Sequence, residues 1–369
     1  MRTGGNMYQG KRVLVTGHTG FKGGWLALWL RNLGATVSGY ALPATGPTNL
    51  FEILPESLFE HAWEQDIRDQ ESLIEAIRLV RPEIIFHLAA QPIVGVGYRE
   101  PLSTFTTNAL GTALLLETIR QERCSAAVVV VTSDKCYRND NTGRAFVESD
   151  PLGGDDVYSM SKAAAELVAA SWHASFFSKE EGLGPMATGR AGNVIGGGDY
   201  AEDRIVPDAV RAHIVGGSLS LRNPGATRPW QHVLESVSGY LALGARLLEN
   251  PEKDRLLSYN FGPDPEAVRC VQDLVESWLV NWPGAFGFEP SPRPPYSEAT
   301  RLSLDPTKAK EELGWKPVWD FERTVRETAA WYRARHEESC GPETMLEFTS
   351  RQIASYTNDA RAAGISWLS

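Results

Sequence analysis

A doubly wound α/β fold built on a parallel sheet is predicted by three features of this 369-residue chain. Short β-branched runs alternate with helical stretches through the first half. One run, Ala127-Val128-Val129-Val130-Val131-Thr132, is apolar at nearly every position, which suits a central strand covered on both faces. The first run is followed at once by a glycine-rich turn that opens a helix. The alternation implies parallel strands joined by right-handed crossovers.

Arg12-Val13-Leu14-Val15-Thr16 reads as the first buried strand and Lys22 to Asn32 as the first helix. Thr36 to Tyr40 is the second strand, and a third precedes Asp66. Glu83 to Leu88, Ala127 to Thr132 and Met186 to Arg190 continue the sheet. Helical patterns cover Glu71 to Val80, Thr104 to Arg120 and Val157 to Phe177. Past Gly192 the elements shorten around the loop Gly196-Gly197-Gly198. The chain thus divides into a dinucleotide-binding domain over 1–192 and a smaller C-terminal substrate-binding lobe over 193–369. The stretch 259–262 is a candidate strand returning to the main sheet. Pro290 to Pro295 reads as an extended surface segment, and Met1 to Gly10 as a loose leader. Trp25, Trp29, Trp331 and Tyr332 sit at helical spacings that suit packing.

The net charge of −10 argues against nucleic-acid or acidic-membrane partners. An anionic substrate would need local arginines against that field. Cys124, Cys136, Cys270 and Cys340 lack metal-ligand spacing and read as free thiols of a reducing cytoplasm. No apolar stretch approaches the ~20 residues of a membrane span.

Gly17, Thr19, Gly20, Phe21, Lys22 and Gly23 follow the first strand and open the first helix. Such a loop lets backbone N–H groups meet a pyrophosphate at the helix N-terminus, the signature of a Rossmann-type fold. The acid that usually follows the second strand is missing, since the chain reads Gly39-Tyr40-Ala41. No Lys or Arg occurs between Ser38 and Glu52 to welcome a 2′-phosphate, so NAD is favoured over NADP, with Lys22 keeping the choice open. Asp66 and Ile67 are candidates for the adenine, or Asp66 is a helix cap.

Tyr158 and Lys162 stand four apart on a predicted helix and so share a face. A free phenol, pKa about 10, is a poor base at neutral pH, and a neighbouring ammonium favours its ionised form. Thr132-Ser133-Asp134-Lys135 ends the apolar strand just upstream and adds hydroxyl, carboxyl and amine. Together these groups suit removal of hydride from an alcohol carbon and expulsion of water. Arg190, Asn193, Arg204 and Arg228 are candidates for a substrate diphosphate. Trp230 is placed either to stack on a base or sugar or to fill the lobe interface.

The glycine loop, His87-Leu88-Ala89-Ala90-Gln91, Asn108-Ala109-Leu110-Gly111-Thr112 and Tyr158-Ser159-Met160-Ser161-Lys162 together resemble the extended short-chain dehydrogenases/reductases over nearly the whole chain. Within that superfamily the chain is most similar to the CDP-glucose 4,6-dehydratases. Gly17 to Gly23, Thr132 to Tyr137, Gly192 to Asp199 and Arg228 to Glu235 carry the closer likeness. Lys135 is the specific pointer, because related nucleotide-sugar dehydratases carry Glu there. One stretch departs from the pattern: Pro295-Tyr296-Ser297-Glu298-Ala299 stands where the family has Pro-His-Glu-Ala.

The resemblance implies conversion of CDP-glucose to CDP-4-keto-6-deoxyglucose with tightly cycled NAD. It implies Tyr158 as base at the 4-hydroxyl, Lys162 as its partner and holder of the nicotinamide ribose, and Ser133 on the 4-oxygen. Asp134 becomes the acid for the leaving water. Lys135 is either the C5 base, which requires a pKa well below the usual ~10.4, or a fixed charge. Leu88, Ala89, Ala90, Asn108 and Thr132 join the cofactor site, Asn108 through a backbone kink that supports Lys162. Gln91, Asn193, Arg204, Arg228, Trp230 and His232 join the substrate site. It further implies a homodimer or dimer of dimers through the helices bearing Asn108 and Ala163 to Ala170, and a deoxysugar for cell-surface polysaccharide. Two rivals stand: a 4-epimerase or other nucleotide-sugar dehydratase of this fold, and a non-catalytic dinucleotide sensor. An epimerase has no use for Asp134 and Lys135, and a sensor none for Tyr158 and Lys162.

Overall fold

The computed structural model describes residues 6–44, 49–221, 223–264, 268–284, 287–290, 301–337 and 340–368. Seven strands form the main sheet: β1 (Arg12–Thr16), β2 (Thr36–Ala41), β3 (Phe59–Glu64), β4 (Ile84–His87), β5 (Ala127–Val131), β6 (Met186–Ala191) and β7 (Leu257–Phe261). They lie in the order β7-β6-β5-β4-β1-β2-β3, every neighbour parallel. Strand order reverses between β1 and β4, which is where such sheets hold their ligands.

Alternation along each strand feeds two cores. Val13, Val15, Ile84, Phe86 and Val129 face helices α1 (Phe21–Asn32) and α5 (Val233–Glu249). Leu14, Ile85, Val128 and Val130 face α2 (Gln70–Val80), α3 (Gly111–Gln121) and the end of α4 (Val157–Trp172). Two C-terminal helices, α6 (Phe321–His336) and α7 (Pro342–Ala362), join the first core; Trp29 meets Tyr356 edge-on at 5.5 Å. Trp25, Trp29, Trp331 and Tyr332 are all buried packing residues. Beyond β6 the chain adds α5 and β7 to the sheet layers, and builds short strand pairs such as Thr227–Pro229 with Val268–Cys270. Among the described residues no helix is long and apolar enough to cross a membrane.

The helix expected from Thr104 to Arg120 is interrupted. It runs as Pro101–Phe105, a π-helical turn Thr106–Leu110, then α3. The widened turn is held from outside. Asn108 Oδ1 accepts the Gln91 N–H at 2.7 Å, its Nδ2 donates to Ser161 Oγ at 2.8 Å, and the Thr112 hydroxyl donates to the Asn108 carbonyl at 2.7 Å. The helix expected to reach Phe177 stays α-helical to Trp172 and ends in a π turn, His173–Phe177.

The N-terminal leader is not loose throughout. Tyr8 is fully buried and donates its hydroxyl to the Leu241 carbonyl on α5 at 2.6 Å. Met1 to Gly5 and residues 291–300, which include the stretch Pro295–Ala299, lie outside the described residues.

Glu235, in the first turn of α5, ties the C-terminal helices down. Its carboxylate accepts the Val318 and Trp319 N–H groups at 3.1 and 2.7 Å and the Tyr356 hydroxyl at 2.6 Å. Burial nevertheless pushes its pKa up to about 7, while those donors pull the other way. A carboxyl raised on folding stabilises fully below its unfolded pKa, and that contribution fades as pH climbs through the folded value. Stability is therefore expected to fall between about pH 4.5 and 7, by on the order of 3 kcal/mol from this group. Glu235→Gln should flatten that slope in denaturant titrations run across the window; an unchanged slope would exclude Glu235 as its source.

Candidate active site

The C-terminal ends of the central strands open on a cleft of about 900 Å³. The glycine loop, Asp66 and Ile67, Leu88 to Ala90, the end of β5 from Val131 to Lys135, Tyr158 and Lys162 all line it. The later part of the chain contributes Asn193, Arg204, Arg228 and Trp230.

The loop after β1 needs its glycines for contact as well as conformation. Gly17 has φ of +80°, and a Cβ there would meet the Ala89 nitrogen at 2.7 Å. A Cβ on Gly23 would lie 2.0 Å from the Gly17 carbonyl oxygen. Gly20 caps α1 without any side-chain bond, so the N-terminal N–H groups of the helix face the cleft unclaimed by a capping side chain. That donor set fits a dinucleotide pyrophosphate. Within β2, close packing on the loop requires glycine at position 39. A Cβ at Gly39 would fall 2.4 Å from Cγ of His18, whose ring fills that space. His18 is buried against Phe51 and Phe59, and burial drops its pKa to about 4. Asp66 is not a helix cap, because Asp69 caps α2. The Asp66 carboxylate is engaged by Arg68 at 2.6 Å, a bond that holds its pKa low.

Tyr158 and Lys162 lie on one face of α4, both almost fully buried. Burial pushes the Tyr158 phenol up to about 12, with a hydrogen bond to Ser133 and the charge of Arg204 pulling it down. Burial holds Lys162 down at about 8, against the attraction of Glu166 on the same helix. The expected dominance of Lys162 over the phenol gives way to desolvation of both groups. Ser133 donates to Asp134 Oδ1 at 3.0 Å. Asp134 Oδ2 is buried with no hydrogen-bond partner among the described residues. Its carboxyl is raised above the ordinary range by burial, which outweighs the neighbouring Lys135, Ser133, Arg228 and Lys22. Lys22 is lowered to about 7 by desolvation and by the charge of Arg204, and its ammonium reaches the Tyr240 hydroxyl at 3.3 Å.

Four sequence candidates do not reach the cleft lining. Arg190 is sealed behind the wall, bidentate to Glu166 at 2.8 and 2.9 Å, so its guanidinium has no diphosphate to meet. His232 is fully buried between Trp25 and Trp319 and accepts the Leu234 N–H, capping α5. The Gln91 amide is occupied by the Ile93 N–H, the Ile93 carbonyl and the Thr104 hydroxyl. Asn108 braces Gln91 and Ser161 as described, one residue before Lys162. Arg204 lines the cleft while paired with Asp199 at 2.7 Å, and Trp230 lines it with its indole N–H on the Arg269 carbonyl. Sequence reasoning missed Thr107, Tyr200, Ser220, Leu221, Asn223 and Val271, which also line the cleft. They come from separate turns and strand ends that carry no motif.

The GDP-mannose 4,6 dehydratase family model matches residues 14–254. A CDP-glucose 4,6-dehydratase of Salmonella typhimurium is 43% identical over 355 residues, covering 95% of this chain and 97% of that protein. A dTDP-glucose 4,6-dehydratase of Xanthomonas campestris is 27% identical, covering 86% and 92%. Among solved structures, the Thermus thermophilus UDP-glucose 4-epimerase complex with NAD superposes with a TM-score of 0.74 at 26% identity, covering 87% of this chain and 99% of that one. On these matches, and on the cleft that the matched segments line, the chain belongs to the GDP-mannose 4,6 dehydratase family.

Proposed function

We propose that this chain dehydrates CDP-glucose to CDP-4-keto-6-deoxyglucose, with NAD as an internal hydride carrier. The observation that carries this reading is Asp134: a buried carboxyl with one oxygen free, raised in pKa, sharing a cleft with Tyr158 and Lys135. A raised carboxyl keeps its proton at higher pH and so can give it to a leaving hydroxyl. An epimerase has no leaving group at C6 for such an acid. The relationship to the Salmonella enzyme supports CDP-glucose as substrate.

The glycine loop, Leu88 to Ala90 and Lys162 would hold NAD, which would supply a hydride carrier between C4 and C6 of the sugar. Tyr158 takes the proton of the 4-hydroxyl as the carbonyl forms, and the Ser133 hydroxyl donates to that oxygen. The 4-ketone acidifies the C5 proton, which is assigned to Lys135. Asp134 protonates the C6 hydroxyl, and water departs. A proton returns to C5 as C6 is reduced. The proton held by Tyr158 makes good the one Asp134 gave away, so the cycle closes with loss of one water. Arg204 and Arg228 suit the diphosphate, and Arg228 also faces Asp134 electrostatically.

We also propose self-association of two copies. Leu102, Phe105 and Leu110, beside Asn108, expose large apolar side chains, as do Met160 and Leu167 on α4. Leu102 is 78% and Leu167 58% exposed, which is costly for a monomer. The free cysteines suit a reducing cytoplasm, where the product would serve deoxysugar synthesis for cell-surface polysaccharide such as lipopolysaccharide.

Incubation with NAD and a panel of CDP-, dTDP-, UDP- and GDP-hexoses in deuterated water should yield one dehydrated product, from CDP-glucose, carrying deuterium at C5. Mass-neutral inversion would favour the epimerase, and an unchanged panel the sensor. Tyr158→Phe is expected to lower kcat by about 10²–10⁴-fold. Lys135→Ala should still reduce the nicotinamide yet release no water; full turnover would remove Lys135 from the mechanism. Because Lys162 loses its proton near pH 8, kcat/KM should decline as pH rises past about 8. Leu102→Glu combined with Leu167→Glu should halve the sedimenting mass, a test that a monomeric wild type would fail outright.

A further inference from the structure

The segment Ser133–Cys136 carries three of the proposed reacting groups, yet only four residues separate Thr132 from Tyr137 on either side of it. Both flanking residues are held by one buried ion pair. The Glu166 carboxylate accepts the Thr132 hydroxyl at 2.5 Å and the Thr188 hydroxyl at 2.9 Å. It also takes the Arg190 guanidinium through Nε at 2.9 Å and Nη2 at 2.8 Å. The remaining arm, Arg190 Nη1, donates to the Tyr137 hydroxyl at 2.7 Å and to the Glu148 carbonyl at 3.1 Å. The Tyr137 hydroxyl in turn donates to Asn260 Oδ1 on β7 at 2.7 Å. Its ring lies under the guanidinium, 5.0 Å from centroid to Cζ, and stacks on Phe146 at 4.9 Å.

The side-chain exposures of Arg190 and Glu166 are 4% and 2%, so neither can trade its partner for water. A buried pair of this kind is a poor source of net stability and a good source of fixed geometry when every lone pair and proton is claimed. Glu166 also stands one further four-residue step along α4 from Tyr158 and Lys162, and its charge acts on Lys162. The same carboxylate thus joins the helix that bears the phenol to the strand end that bears the hydroxyl, carboxyl and amine.

We infer that Glu166 and Arg190 are a positioning pair that clamps both ends of Ser133–Cys136 and sets its registry against Tyr158 and Lys162. They touch no substrate. Glu166 grips the upstream end through Thr132, and Arg190 grips the downstream end through Tyr137. The kinetic consequence rests on the proposed dehydration; the mechanical one does not.

Tyr137→Phe removes the downstream grip, together with the bond to Asn260, while leaving the ion pair and the Glu148 contact in place. Thr188→Val removes a comparable buried hydrogen bond from the same carboxylate, together with the Thr188 contact to Ser258, without touching the segment. By hydrogen exchange with mass spectrometry, peptides covering 132–137 should open about tenfold faster in Tyr137→Phe and within about twofold of wild type in Thr188→Val. In steady state, Tyr137→Phe should lower kcat about tenfold and move KM for CDP-glucose less than about twofold, because geometry rather than binding is lost. Arg190→Lys, which keeps the charge but cannot reach both partners, is read the same way should Tyr137→Phe not fold. Unchanged exchange in 132–137, exchange rising equally over the whole molecule, or an equal effect from Thr188→Val would each overturn the clamp. A wild type inert toward CDP-glucose would instead refute the proposed substrate, and the exchange data would still decide the clamp.

Discussion

Packing of α4 against the ends of β5 and β6 is the constraint on which the rest of the site depends. The helix sets Tyr158, Lys162 and Glu166 at four-residue intervals along one face. Two of these line the cleft, while the third is buried behind it. Asp156 caps the start of the helix through the Ser159 N–H, fixing where the first turn begins. The braces at Asn108 and Ser161 then fix its lateral position.

Desolvation, more than any single charge, tunes the reacting groups. It raises the acidic protons of Asp134 and Tyr158 and weakens the ammonium groups of Lys162 and Lys22. All four changes drive the groups toward neutrality, as expected where a polar cluster sits at the floor of an apolar sheet. Lys22 and Lys162 repel each other across the cleft, and Asp134 attracts Lys22. Both signs line the cleft: Lys22, Lys135, Lys162, Arg204 and Arg228 share it with Asp134, Asp199 and further carboxylates, so any affinity for a diphosphate rests on individual arginines and not on a net positive field.

Much of the frame was legible from the residues. Strand runs such as Arg12–Thr16 and Ala127–Val131 are short and β-branched, so period and length agreed with their buried positions. The glycine loop and the Tyr158–Lys162 spacing were legible because local geometry alone dictates them. The π turn at Thr106–Leu110 was legible only as the Asn108 kink that the family resemblance implies, and not from periodicity, since it is imposed by Gln91 and Ser161, partners distant in sequence. Arg190 looked like a phosphate ligand because arginine chemistry is the same in a cleft and in a core; only its tertiary partner Glu166 separates the two. His232 carried a motif-like setting but a purely structural bond. Ser220, Leu221, Asn223 and Val271, which also line the cleft, had no sequence pattern, because an irregular wall is shaped by backbone path and not by residue type.

Tyr8 has a consequence for how the chain is made. Its hydroxyl rests on the Leu241 carbonyl, and Gly244 leaves room for it, since a Cβ there would fall 2.5 Å from the phenol oxygen. The Tyr8 side chain thus finds its seat only after 233 further residues have been added. β6 likewise waits for β7, bonded to it from Leu257 onward. Until then the nascent sheet carries an unpaired parallel edge and an unfilled socket, so vectorial synthesis leaves closure of the sheet to the emergence of Leu257–Phe261.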